Sequence, residues 1–568
     1  MSHATRRSFL IGTALVLGGG LPLAQAESAT AIHSMIERER RRIRAAMQAD
    51  DIAGAAVCLL HRGNAVWTEG FGVTDKDSNR PIGPGTVFSI QSTSKNMTAM
   101  AILRAVQHGL LDIDAPINSY LPDFTVQSRF ESAPERKMTL RLLLSHRAGF
   151  THEAPVGNNY DPDFTDFEGH VRSISRTWLR HPVGERYRYS NLGVDLAGYI
   201  LQSVGKAPFA DLLKTLIFDP LGMADSTAAS EVYASREERA LGHERGYATV
   251  PLRTPLIASG GVYTSARDMA AYLACHLAQG KYGGRVILEE RLWREMHSFS
   301  LGGDYGLGVI REDRRYGNAS IRMFGHKGGG FGFGCVCIYC PQAQLAWAAL
   351  FNRPTDAAYR FGEQLQNEVL EALHGRRRAQ LPAGDLPSID LQSSQIEPLL
   401  GTYAGRGSSS EMKFENGVLG LATGAAFAPV KFTSPDDMVL SGPLDEALTY
   451  RHFQAIGGQA AHFECSTSEK SLDYNDGPRD GAGPNKADWE PFIGSYQILQ
   501  WGKRAQLLSV HRKNGYLYLG DIRLIIETEP GLFFTCDGEA VDFRTEPAWR
   551  NIRLHRTEAD ETQQGGRT

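Results

Sequence analysis

The spacing of apolar and polar positions changes several times along the chain, and each change marks an element. Residues 32–48 are rich in arginine and glutamate and predict a helix, with the charge run ERERRRIR on a solvated face. Residues 54–71 (GAAVCLLHRGNAVWTEGF) set two apolar runs around His61-Arg62-Gly63-Asn64, a turn-forming tetrad, and predict a β-hairpin. A short extended run at 86–90 leads into a mostly buried helix: Met97, Met100, Ala101, Leu103 and Val106 fall on one side up to about His108, and Gly109 ends it. Mixed helices and turns continue to Leu288. Strand-like runs then return between Tyr305 and Asn352 (YGLGVI, IRMFGH, CVCIYC, LAWAALF), and a last helix over 357–374 precedes HGRRRAQLPAGDLP, a linker by composition. Strands at both ends with helices between predict one α/β domain whose sheet draws on both ends of the segment.

Beyond that linker the chain repeats itself. Glu397-Pro398-Leu399-Leu400-Gly401-Thr402-Tyr403 matches Glu490-Pro491-Phe492-Ile493-Gly494-Ser495-Tyr496, and Asn416-Gly417-Val418-Leu419 matches Asn514-Gly515-Tyr516-Leu517. An Asn-Gly pair followed by alternating apolar residues is a hairpin signal, and two landmarks in the same order indicate a duplication. Each copy is expected to be a small antiparallel barrel or sandwich. The expected plan is a leader at 1–26, a first domain at 27–378, a linker at 379–394, one β-rich repeat at 395–468, a polar, glycine-rich linker at 469–487, and a second repeat at 488–560.

Composition narrows the class. The chain has 568 residues and a net charge of -4, so nothing electrostatic argues for nucleic acid as a partner. Arg6-Arg7 stands before an apolar run, and Ala24-Gln25-Ala26 offers the small-x-small pattern of a signal-peptidase site. The run is too short and too broken by glycine for a membrane span, and the arginine pair resembles a twin-arginine export signal, so a periplasmic protein with no membrane span after signal removal is expected. The chain has seven cysteines, an odd number, which speaks against a disulfide framework. Cys335, Cys337 and Cys340 invite a metal reading, but their apolar surroundings (FGFGCVCIYCP) favour buried structural thiols.

Candidate chemistry starts at FSIQSTSKNMTAM, where Ser92 and Lys95 stand three apart at the start of the predicted helix. That spacing puts both on one helix face, and the helix N-terminus favours negative charge on the serine oxygen. To act as a base the lysine must be neutral, which asks its pKa to fall from about 10.4 to 7–8, roughly 4 kcal/mol, through burial and polar partners. S-x-x-K also occurs at Ser203–Lys206 and Ser410–Lys413, so the pattern alone decides nothing. Two further fragments follow Ser92 in order: Tyr189-Ser190-Asn191, a Y-x-N with a second copy at Tyr316-Gly317-Asn318, and His326-Lys327-Gly328-Gly329 in a glycine-rich stretch. No G-x-S-x-G elbow, H-E-x-x-H or P-loop is present.

S-x-x-K, then Y-x-N, then H-x-G resembles the serine β-lactamase and penicillin-binding-protein-like family. By motif the likeness is to the class C β-lactamase-like serine hydrolases, which include D-aminopeptidases, DD-carboxypeptidases and esterases. The segments LDIDAPINSYLPDF, TLRLLLSHRAGF, IFDPLGMADST and ASGGVYTSARDMAAYL are similar to landmarks of that family, over nearly all of 32–375. The resemblance implies an α/β (α+β) β-lactamase-like domain with an antiparallel sheet and helices, followed by two small all-β repeats. It implies Ser92 as acylated nucleophile, Lys95 as general base, Tyr189 as the phenol that protonates the leaving group, and His326 at the head of the third motif. Asn191, Lys327, Gly328 and Gly329 then bind substrate, with the N–H groups of Ser92 and Gly329 as oxyanion hole, each donor worth roughly 3–4 kcal/mol. No metal or organic cofactor is implied. His146, in SHRAGF, is expected to be structural.

His326 departs from the K-T-G of true class C β-lactamases and matches the H-x-G of D-amino-acid peptidases and some esterases. The expected activity is therefore a peptidase or amidase on D-amino-acid peptides, with small-molecule or peptidoglycan-derived peptide substrates. An esterase or β-lactamase is the alternative, and a sensor that acylates without turnover is the alternative of another class. For the two repeats, packing against or shielding of the active-site mouth is the expected role.

Overall fold

Arg62 and Gly63 both take positive φ (53° and 76°), the backbone of a two-residue hairpin turn that follows the natural twist of paired strands. They join β1 (Gly54–His61) to β2 (Asn64–Gly72). The computed structural model describes residues 22–557 apart from 161–165, 248–249, 254, 302–303, 379–387, 406–407, 425, 436, 442–446, 455–459, 466–470, 475–485, 514 and 536. Residues 1–21 of the expected leader and much of both expected linkers lie outside the described residues.

The second edge of β1 pairs with a strand from the far end of the domain, Ala55 opposite Phe351 through His61 opposite Leu345. The remaining strands are β3 (Ile310–Tyr316), β4 (Ala319–Gly330), β5 (Phe333–Cys340), β6 (Leu345–Phe351) and β7 (Arg377–Arg378), in the antiparallel order β7-β3-β4-β5-β6-β1-β2. The two-residue period of a strand sorts its side chains between two cores. Ala56, Cys58 and Leu60 face a large helical layer that includes α2 (Ser94–Gln107), α3 (Asn191–Gly205) and α4 (Ala266–Leu277). Ala55, Val57 and Leu59 face a smaller core with Met35, Ile36 and Ile43 of α1 (Pro22–Ala49) and Val369 and Leu370 of α5 (Asp356–His374).

Three expectations change. The charge run on α1 is not a solvated face throughout: Glu39 is wholly buried, and burial raises its carboxyl to about 7 against the pull of Arg42. Its neighbours Arg38 and Arg40 reach Glu368 of α5 and Glu69 of β2. YGLGVI is not a strand along its length, because β3 begins at Ile310 and runs on through charged residues, with Arg314 bound to Glu363 on α5. Ser471–Tyr474, inside the stretch read as a linker, is the strand that pairs with Gly401–Gly405 and closes the first repeat. The cysteines of β5 follow the pleat: Cys335 and Cys337 enter the helical core and Cys340 the opposite one, so the three do not converge on one point.

Among the described residues the first repeat is a closed eight-stranded barrel and the second a nine-stranded antiparallel sheet. Both begin with the same corner. Tyr403 donates its hydroxyl hydrogen bond to the Leu399 carbonyl at 2.7 Å, and Tyr496 donates to the Phe492 carbonyl at 2.8 Å, four residues back in each copy. Among the described residues no helix is long and apolar enough to cross a membrane.

Candidate active site

The strand Phe88–Ser89 delivers the chain to Gln91, which takes φ 47°, a left-handed conformation that a side chain makes costly. The bend opens a single 3₁₀ turn, Gln91–Thr93, which runs straight into α2. Between residues 86 and 103 only Ser92 is partly open to solvent. One turn on, Lys95 is fully buried.

The Lys95 amine lies 3.1 Å from Ser92 Oγ and donates to Asn191 Oδ1 at 2.8 Å and to the Ser259 carbonyl at 2.9 Å. Neither of those two oxygens can donate in return. A neutral amine has two N–H bonds and one lone pair, so satisfying both oxygens leaves the lone pair for the Ser92 hydroxyl. Asn191 opens α3, and Asp195, one turn later on the same face, fixes the third partner. Its carboxylate accepts from the N–H groups of Ala258 (2.9 Å) and Ser259 (2.8 Å) and from Ser259 Oγ (2.9 Å). Behind it lies His170, Nε2 3.3 Å from Asp195 Oδ2, with both side chains wholly buried.

Tyr189 brings its ring face to 4.7 Å from the Lys95 amine. It is packed by His146 (ring centroids 4.3 Å), His152 (5.8 Å), Tyr305 (6.4 Å) and His326 (6.4 Å). His146 accepts the Ser190 N–H on Nδ1 at 3.2 Å, and burial holds its imidazole neutral, far below the usual range.

His326 joins the same cluster. Its Nδ1 bonds the Lys327 carbonyl (2.6 Å) and its Nε2 the Tyr305 hydroxyl (2.9 Å), so both nitrogens have protein partners. A ring donating to a carbonyl through Nδ1 accepts through Nε2, which makes Tyr305 the donor. Burial, the largest cause, pushes its pKa down to about 3. His326 is therefore neutral beside Tyr189. Tyr305 and Ser259 went unnoticed in the sequence, although Ser259 lies in the quoted ASGGVYTS.

The glycines of β4 bring its backbone to Ser92. β3 pairs with β4 as far as Gly325, and 326–330 pair with β5. A Cβ on Gly328 would meet the Ile90 carbonyl oxygen at 2.2 Å and the Ser92 nitrogen at 3.1 Å, so only glycine permits this approach. Lys327 and Gly329 are exposed. The other copies of the motifs lie elsewhere: Lys206 caps the C-terminus of α3, Ser410 bonds Thr423 inside the barrel, and Tyr316 bonds Asn367 of α5.

Residues 40–371, more than half of the chain, match the family model Beta-lactamase. The chain belongs to the Beta-lactamase family. Curated relatives include Protein flp of Staphylococcus aureus (strain COL), 26% identical over 198 residues, which are 35% of this chain and 39% of that protein. Esterase EstB of Burkholderia gladioli is 29% identical over 185 residues, 31% of this chain and 46% of the esterase. The chain thus spans less than half the length of these relatives. Among solved structures, SurE with D-Leu superposes at TM-score 0.54 with 20% identity, covering 79% of this chain and 99% of SurE. The octameric penicillin-binding protein homologue from Pyrococcus abyssi gives 0.51 with 21% identity, covering 77% and 99%. These likenesses establish a β-lactamase-like fold, the fold of a serine hydrolase family.

Proposed function

We propose that the protein is an exported serine hydrolase that works through an acyl-enzyme at Ser92, most suited to peptides or amides of D-amino acids. The observation that carries the hydrolase reading is the buried Lys95 amine, held by two oxygens that accept only and 3.1 Å from Ser92 Oγ.

In the first step Lys95 takes the Ser92 proton as Oγ bonds to the substrate carbonyl carbon. The oxyanion forms beside the N–H groups of Ser92 and Gly329. The proton then passes from Lys95 through the Tyr189 phenol to the leaving nitrogen or oxygen as its bond to carbon breaks. Water repeats the sequence, giving its proton to Lys95 while its oxygen displaces Ser92. Asn191 orients Lys95 and the substrate amide, Gly328 lets β4 lie close, and Lys327 stands exposed at the rim.

The D-amino-acid class is supported by the H-x-G form of the third motif and by SurE having been solved with D-Leu. An export signal would place the enzyme where peptidoglycan peptides, which contain D-alanine, are met. The likeness to EstB supports a second reading, an esterase of small acyl esters. Incubation of the full-length protein with D-alaninamide, p-nitrophenyl acetate and a β-lactam, followed by intact mass and product analysis, separates the readings. Released product indicates an enzyme and its class, whereas a persistent adduct without product indicates a sensor. Ser92→Ala is expected to abolish both adduct and turnover; full activity in that variant overturns the assignment.

A further inference from the structure

The second repeat meets the first domain where Tyr189 is held. Glu539, buried just before the strand Ala540–Asp542, accepts a hydrogen bond from Thr151 Oγ1 on Oε2 at 2.6 Å. Its other oxygen binds Arg180 of the first domain (3.1 Å) and Arg550 of its own repeat (3.0 Å). The Thr151 carbonyl in turn accepts from Ser190 Oγ at 2.6 Å, and Ser190 is the residue between Tyr189 and Asn191. Thr151, Ser190 and Glu539 are each about 2% exposed, so water does not stand in for these bonds.

The same segment forms the bed of the phenol. His146 and His152, on either side of Thr151 in the chain, both pack their rings against Tyr189. The repeat grips the rest of the loop as well. Asn551 Nδ2 donates to the Glu153 carbonyl at 2.8 Å, and Trp501 donates through its backbone N–H to Tyr160 (3.0 Å) and through Nε1 to Asn159 (3.1 Å). Trp501 also packs on Phe331, which follows the glycines of β4, with ring centroids 5.3 Å apart. One repeat thus touches both walls of the site.

We propose that the second repeat is a positioning element of the active site: Glu539, acting through Thr151 and Ser190, holds the Tyr189 phenol in place for proton delivery to the leaving group. This rests on the reading of Tyr189 as the group that protonates the leaving group. In that step the phenol gives its proton to the departing oxygen as the C–O bond breaks and regains one from Lys95. A misplaced phenol hurts poor leaving groups, which need the proton, more than good ones, which depart as anions.

The test uses full-length Thr151→Val, Thr151→Ser, Glu539→Gln and the Val/Gln double variant. For each, kcat/KM is measured on substituted phenyl acetates from p-nitrophenyl to unsubstituted phenyl and plotted against leaving-group pKa. In Thr151→Val the loss on phenyl acetate should exceed that on p-nitrophenyl acetate by about tenfold, a fraction of the 10²–10⁴ that general acid–base catalysis supplies. Thr151→Ser should restore the wild-type slope, and the double variant should lose no more than the worse single variant. Equal losses on all esters, no rescue by serine, or multiplying losses in the double variant would each overturn the proposal. If Glu539→Gln fails to fold, the valine and serine variants decide alone. If the wild type turns over D-alanine anilides but no ester, the same slope test is run on ring-substituted anilides; if it neither acylates nor turns over either class, the proposed function falls first and this inference with it, whereas turnover with an unaltered slope in Thr151→Val sinks only the inference.

Discussion

At the scale of single residues, reactivity comes down to one amine and what surrounds it. Lys95→Met keeps the packing and removes the base, so the rate of Ser92 acylation should fall about 10²–10⁴-fold, read as adduct formation by intact mass. The neutral histidines make a second prediction. Burial lowers His181, His297 and His326 to about 3, from an ordinary value of 6.5. A depressed folded pKa means that the unfolded chain binds the proton more readily. Their contribution to stability is therefore whole above 6.5 and drains away as pH falls toward 3. At pH 5 each costs on the order of 2 kcal/mol, so the melting temperature should drop steeply between pH 6.5 and 4. A flat profile over that range would show that these rings are protonated in the fold. Ser92, Lys95, Tyr189 and Asn191 could be read from the sequence because short, ordered motifs carry them. Ser259 acts through a backbone carbonyl, which no side-chain pattern marks, and Tyr305 sits in a run whose apolar character pointed to a strand.

Among elements, β4 is tightly constrained at Gly328. Gly328→Ala would drive a methyl group into the Ile90 carbonyl oxygen and push the strand off the Ser92 turn. About 1–3 kcal/mol of stability should be lost, with a fall in acylation larger than the shift in thermal midpoint alone explains. Parallel melts and single-turnover rates check this. The hairpin of β1 and β2, helix α2 and strands β5 and β6 were legible because their apolar periods are clean and turns bound them. β3 was misread for an opposite reason. Its buried Arg314 is held by Glu363 of α5 and its Asp313 by Arg322 of β4, so charged residues form the strand, and local hydrophobicity pointed to a run that shares only Ile310 with it. Ser471–Tyr474 is likewise too short and polar to announce itself, and only closure of the barrel makes it a strand.

Over the whole molecule, the two repeats share a corner and differ in what they hold. Tyr403→Phe and Tyr496→Phe each delete one buried hydrogen bond, worth about 1 kcal/mol. Because the second repeat shares buried polar partners with the first domain, Tyr496→Phe should lower the temperature at which hydrolysis is lost, and Tyr403→Phe should not. Calorimetry with residual activity after heating distinguishes them; equal effects would mean that both copies couple to the first domain alike. The duplication could be read from the matching landmarks, whereas the grip of one copy on residues 151–160 could not, since it depends on side chains brought together by docking. The pairing of Ala55 with Phe351 has a consequence for biosynthesis. A ribosome makes the hairpin early, yet it waits with an open edge until nearly three hundred further residues have emerged. Nascent chains that end before Leu345 should remain clients of chaperones, however well their helices have already formed.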